Sequence, residues 1–214
     1  MTGVQTCALP ISQVYYRPDL FAALDELVSA GAIANYGVSV EKVEEALKAI
    51  EYPGVATVQI IFNVVRQRPA ERFLAEGQRR GLGVLARVPL ASGLLTGRLS
   101  RGSVFEPNDH RAYNRNGEAF DVGETFAGLD YEAGLAVVEE LRPLVPAGAT
   151  MAQLALRWIL MHDGITAAIP GAKSPEQARA NAAAADLPPL SPETMAAIAR
   201  IYETHAKPLV HQRW

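Results

Sequence analysis

The chain has 214 residues, 49% hydrophobic and 20% charged, with 20 Lys+Arg against 23 Asp+Glu and a formal net charge of -3. This composition excludes a disordered tail protein, a collagen-like chain and a disulfide scaffold. The slight acidity gives no electrostatic reason to bind nucleic acid.

Residues 1–11, MTGVQTCALPI, resemble over their whole length the conceptual translation of a common short-read sequencing adapter. They are expected to be foreign, with the native start missing, so residues 1–12 stand apart from the fold. Cys7 is the one cysteine and cannot form an intrachain disulfide. His110, His162, His205 and His211 are scattered, so no zinc-ligand spacing arises and no metal is expected. No run of eighteen apolar residues occurs, and the expected location is cytoplasmic, away from membranes.

A helix is expected over residues 18–30: Pro18 suits a first turn, Leu20, Phe21, Leu24, Leu27 and Val28 recur at helical spacing, and Gly31 stops it. Residues 32–39 (AIANYGVS) read as a strand, 41–50 as a helix, and 57–64 (TVQIIFNV) as a buried strand. A helix over 69–80, ended by Gly81, leads to a strand over 84–88. These strands start about 25 and 27 residues apart with a helix between each pair, the rhythm of parallel βα units.

Residues 97–130, rich in Gly, Asn, Asp and Arg, show no period and read as a long loop. Helices follow over 131–141 and 151–162, the second with Thr150 and Gln153 as a capping box. Residues 166–170 are a fourth strand. Ser174 and Gln177 form a second capping box, with Pro175 opening a helix to residue 184. Ser191 caps a last helix over 192–204, and 207–214 are expected to be irregular. Eight βα units need about 250 residues. Four strand candidates therefore mean an open four-stranded sheet or half of a barrel, in one domain over residues 13–206.

The turn from Gly171 through Lys173 and Ser174 into a helix puts free N–H groups, a positive dipole end and a full positive charge together. That combination suits an anion, although a plain capped helix with a surface lysine would read the same. Gln177 and Asn181 lie on one helical face, with amides suited to a purine edge. Arg87, in an apolar strand, needs a partner unless it points outward into solvent. Gln59 and Asn63 interrupt an apolar strand, either as satisfied core groups or as ligand contacts. Glu44, Glu45, Glu139 and Glu140 read as solvated helix faces.

Together, Tyr36-Gly37-Val38-Ser39, Val58-Gln59, the run from Val88 to Gly97 (VPLASGLLTG), Ala152 to Trp158 (AQLALRW) and Ile169 to Gln177 with Asn181 resemble the aldo-keto reductase family over about residues 15–202. The resemblance implies the C-terminal half of a (β/α)8 barrel, four parallel strands with flanking helices, that binds NADP(H) in extended form and reduces aldehydes or ketones. It implies Ser39 and Gln59 at the nicotinamide carboxamide, and Leu90, Ser92 and Leu94 along the pyrophosphate. Lys173 and Ser174, after Gly171, would meet the 2′-phosphate, and Gln177 and Asn181 the adenine. Arg87 stands where the family often stacks an aromatic ring on the nicotinamide, and Val40 replaces a frequent Asn. Residues 97–130 would be a cofactor belt or substrate loop, with His110, Arg111, Asn114 and Arg115 more often solvated than functional.

The family's Asp, Tyr, Lys and His tetrad belongs to the first four strands. None of those strands is present, so no catalytic residue is assigned and Tyr15, Tyr16 and Lys42 are not substitutes. A different class of reading is a non-catalytic nucleotide-binding or interaction module. A half barrel is expected to leave two strand edges and an apolar inner face open, and so to self-associate.

Overall fold

The computed structural model describes residues 14–214. The reading of residues 1–11 as foreign, and Cys7 with it, lies outside the described residues. In chain order come α1 (Pro18–Ser29), β1 (Tyr36–Val40), α2 (Val43–Ala49), β2 (Val55–Ile61), α3 (Phe73–Arg79), β3 (Gly83–Arg87), α4 (His110–Tyr113), α5 (Tyr131–Leu141), α6 (Met151–Leu160), β4 (Ala167–Ala168), α7 (Pro175–Ala182), α8 (Pro192–Ile201) and α9 (Lys207–Val210). The four strands form one sheet in the order β1-β2-β3-β4, every neighbouring pair parallel. This is an α/β fold of right succession, with β4 much shorter than expected.

Alternation along the strands sorts side chains onto two faces. Val40, Val58, Ile60, Val84 and Ala86 are buried on the face covered by helices. There α2 lies on β1 and β2, α3 on β3, and α6 on β4. The other face carries Gly37, Ser39, Thr57, Gln59, Gly83 and Leu85, all partly or fully exposed. Expected to be apolar, this uncovered face is small and polar, with Leu85 its one large apolar side chain among these six. The hydrophobic driving force acts on the helical side, where Val38 and Ala168 are partly buried and the five named side chains fully so.

Several local expectations hold. Thr150 Oγ1 accepts from Gln153 N (3.2 Å) while Gln153 Oε1 accepts from Thr150 N (3.0 Å), closing the box that starts α6. Residues 69–80 do not form one helix: a 3₁₀ turn, Arg68–Glu71, is separated from α3 by Arg72, whose φ of -142° is not helical. Glu45 is not solvated. It is buried, and its Oε2 accepts from Glu41 N (2.9 Å) and Lys42 N (3.1 Å) at the start of α2.

The stretch 97–130 is not a bare loop. It holds α4 and two 3₁₀ turns, Val122–Glu124 and Phe126–Gly128. Asn114, buried rather than solvated, staples it: Oδ1 accepts from Ala119 N and Phe120 N, both 2.8 Å, and Nδ2 donates to Thr125 Oγ1 (3.2 Å).

The tail 207–214, expected to be irregular, is helical. Pro208 has no N–H to give the carbonyl four residues earlier, and a π turn, Tyr202–Ala206, absorbs the mismatch before α9. The chain ends in Trp214, which is buried. Its Nε1 donates to Asp121 Oδ1 (3.0 Å), the Arg66 guanidinium lies 3.8 Å from its ring, and Arg68 donates to its carbonyl. Gly128, at φ +84°, makes room: a Cβ there would meet the indole at 2.5 Å.

Trp214→Ala is expected to destabilise the chain by about 3 kcal/mol, the cost of truncating a buried large side chain. Urea denaturation measures it, and an unchanged midpoint would show that the tail holds nothing.

Candidate functional site

Parallel strands place all their C-terminal ends on one edge of the sheet, where ligands of open α/β sheets bind. Ser39 on β1 pairs in register with Gln59 on β2, Gln59 with Leu85 on β3, and Leu85 with Ala167 on β4. This row lies on the uncovered face. Ser39 and Gln59 are both partly exposed, so the structure brings these two expected site residues side by side. Asn63 is different: buried, it donates from Nδ2 to Val88 O (2.9 Å) and accepts from Val65 N (3.0 Å), a satisfied core group.

After β3 the backbone becomes strained. Val88, Ala91 and Ser92 take φ of 51°, 46° and 54°, a region that costs side-chain-bearing residues energy and is most unusual for a β-branched one. Phe126 and Ala127 do the same at 51° and 57°. The Ser92 hydroxyl joins the two strained segments. It donates to Glu124 O (3.0 Å), accepts from Phe126 N (3.1 Å), and lies 3.2 Å from His110 Nε2. With its one proton given to Glu124, it can only accept from the imidazole. Ser92 is thus a tie between segments, and its hydroxyl has no capacity left for a ligand.

Leu94, expected along a pyrophosphate, is fully buried, and its Cδ2 would stand 2.7 Å from a Cβ at Gly134. Its side chain belongs to the core because α5 packs on this turn. Leu90 remains partly exposed. His110 and Arg111 face Ser92 rather than bulk solvent alone: Arg111 Nη1 donates to Ser92 O (3.4 Å). The Arg115 guanidinium lies over the Tyr131 ring at 5.0 Å.

Arg87 does not point outward. Its Nη2 donates to Glu41 Oε1 (2.7 Å) and Val40 O (3.0 Å), and its Nη1 pairs with Glu124. The need for a partner was readable from an arginine in an apolar strand. The partners were not, because they lie 46 and 37 residues away in sequence. Tyr15, packed under this cluster, donates its hydroxyl to Ser39 O. Burial, and then Glu45 and Glu41, hold that hydroxyl above the usual tyrosine range, which is the opposite of an activated acid.

The second part of the edge follows β4. Ile169 N still bonds to Ala86 O (3.0 Å), and the chain then turns through Gly171 to α7. Ser174 Oγ caps α7 by accepting from Gln177 N (3.3 Å). The expected capping box does not close, because Gln177 Oε1 reaches past the cap to accept from Lys173 N (2.7 Å). Asn181 Nδ2 donates to Gly171 O (3.2 Å). Both amides therefore brace the 171–173 turn. Lys173 and Gln177 are exposed, Ser174 and Asn181 partly so, and the tip of α7 is open. Beside it, Leu156, Leu160, Ala168, Ala178 and Ala182 line an open apolar cavity of about 390 Å³.

Among the described residues no group of three or more His, Cys, Asp or Glu is placed to hold a metal ion. No helix among them is long and apolar enough to cross a membrane.

A family model described as the aldo/keto reductase family matches residues 5–203, starting inside the stretch expected to be foreign. The chain is 27% identical over 209 residues to a probable voltage-gated potassium channel subunit beta from Arabidopsis thaliana, covering 90% of this chain and 61% of that one. Among solved structures it resembles a glycerol dehydrogenase from Gluconobacter oxydans (TM-score 0.67, 25% identity), covering 86% of this chain and 54% of that one. It also resembles an aldo-keto reductase from Klebsiella pneumoniae in complex with NADPH (TM-score 0.54, 27% identity, 85% and 52% covered). The chain thus spans between about half and three fifths of these relatives' lengths. With the matched model covering most of its residues, the chain belongs to the aldo/keto reductase family.

Proposed function

We propose that these residues form the C-terminal half of a (β/α)8 barrel whose whole polypeptide reduces aldehydes or ketones with NADP(H). The observation that carries this reading is the open tip of α7, where exposed Lys173 and the capped Ser174 turn stand on the same sheet edge as the Ser39–Gln59 pair.

The residues present fit an extended dinucleotide at its two ends. Lys173 brings a full charge, and Ser174 a hydroxyl, to a 2′-phosphate at a helix N-terminus. Gln177 and Asn181, each with one amide atom engaged in the turn, keep a second polar atom for the adenine edge. Gly171 and Leu90 border the path between, and Ser39 and Gln59 would hold the carboxamide. The Leu94 side chain and the Ser92 hydroxyl do not fit such a role, and Arg87 is held by its own carboxylates rather than assigned to the ring. A nicotinamide bound there would supply the hydride for carbonyl reduction.

The family's proton-donating tetrad belongs to its first four strands, so the described residues would contribute grip and orientation. The relative solved with NADPH supports the cofactor class.

Lys173→Ala is expected to weaken NADPH by roughly ten- to a hundredfold, the range of one charge-assisted bond, and to leave NADH nearly unchanged. Fluorescence titration checks this, and equal losses for the two nucleotides would remove the phosphate assignment. The open edges of β1 and β4 are expected to make the chain self-associate, and without the family's tetrad no carbonyl reduction of its own is expected. Sedimentation showing a stable monomer, or steady NADPH oxidation with an aldehyde panel, would contradict the half-barrel reading.

A further inference from the structure

Arg87 stands at the C-terminal end of β3 with a carboxylate on either side. Glu41 follows β1, and Glu124 comes from the 97–130 segment. Glu41 and Arg87 are nearly excluded from water, and Glu124 is mostly so. Two buried atoms in this cluster, Glu41 Oε2 and Arg87 Nε, have no hydrogen-bond partner.

The charges around Glu41 do not balance. Arg66, buried beneath, is the second cation: Nη2 donates to Glu41 O (3.4 Å) and Nη1 to Ala127 O (3.2 Å). Against Arg87 and Arg66 stand Glu41, Glu124, Asp121 on the Trp214 indole, and Glu45 on the N–H groups of Glu41 and Lys42. Tyr15 is neutral, its proton directed to Ser39 O. Glu45 and Asp121 each have their own hydrogen-bond donors. Glu41 and Glu124 face one guanidinium between them, and one proton relieves the excess.

We propose that Glu41 takes up a proton beside Arg87 and so forms, with the Arg87–Glu124 pair, a pH-dependent latch holding the 97–130 segment on the sheet edge. Burial pushes Glu41 up, Arg87 opposes this, Glu124 adds to it, and the group settles at about 7. A carboxyl raised on folding lends stability that is complete below its ordinary value of 4.5 and fades as pH rises through about 7. The latch is therefore tighter at pH 5.5 than at pH 8. His110, on Ser92 Oγ, the Asp109–Arg111 pair, and Arg115 over the Phe126 ring are the other ionisable or charged groups at this contact.

Hydrogen exchange of the full chain, corrected for intrinsic rates and with no nucleotide added, tests this apart from the cofactor reading. Peptides from 104–130 are expected to lose protection by about tenfold between pH 5.5 and pH 8, the equivalent of one pKa unit, while peptides from α6 stay constant. Glu41→Gln is expected to abolish that dependence and keep the protection at pH 8; His110→Gln is expected to leave the dependence intact. A wild-type chain with no difference between the two pH values overturns the latch, and this measurement needs no variant. So does Glu41→Gln that titrates like wild type, or His110→Gln that removes the dependence.

Discussion

Four parallel strands are too few to close into a barrel. Among the described residues that constraint leaves the sheet with two free edges and one uncovered face. The helices take the other face with its Val, Ile and Ala side chains. What remains uncovered is small and polar, and Ser39 and Gln59 meet there in register. At the far edge β4 is two residues long, and α7 beyond it has no buried side chain at all. Its tip is open for the same reason that its flank is unpacked: the sheet stops beside it.

On the sheet edge, stability and strain are traded within one connected cluster. Five side-chain-bearing residues hold positive φ in two segments, at a cost of order 1–3 kcal/mol each. They persist because surrounding contacts over-determine them. Ser92 ties one segment to the other, Arg87 draws Glu124 onto the strand ends, and Arg66 reaches Ala127 while stacked on Trp214. The C-terminal residue thus supports the same stretch of chain that the middle of the sheet holds electrostatically.

Features set by local chemistry were legible in the sequence. Residues 131–141 read as a helix at the observed bounds of α5, Thr150 and Gln153 marked the start of α6, and glycines marked the ends of α1 and α3. The exposed turn at Lys173 was legible because a strand, a glycine and a cap follow one another within a few residues. Features set by distant partners were not. Residues 97–130 lack a period because Asn114 and Arg87 order them, and 207–214 looked irregular because Trp214 finds Asp121 and Arg68 across 93 and 146 residues. The burial of the Leu94 side chain was not legible because a leucine beside glycines reads alike in a binding turn and in a core. Glu45 was misplaced because its partners are backbone N–H groups, which no residue type announces.

As proposed, one NADP(H) molecule would lie along this edge from the tip of α7 to the Ser39–Gln59 pair. The direct measurement is a map of backbone amide shifts during NADPH titration. Concerted perturbation is expected, at one shared affinity, at Gly171 to Gln177, around Leu90, and at Ser39 and Gln59. Perturbation confined to either end, or none at Lys173, would contradict it.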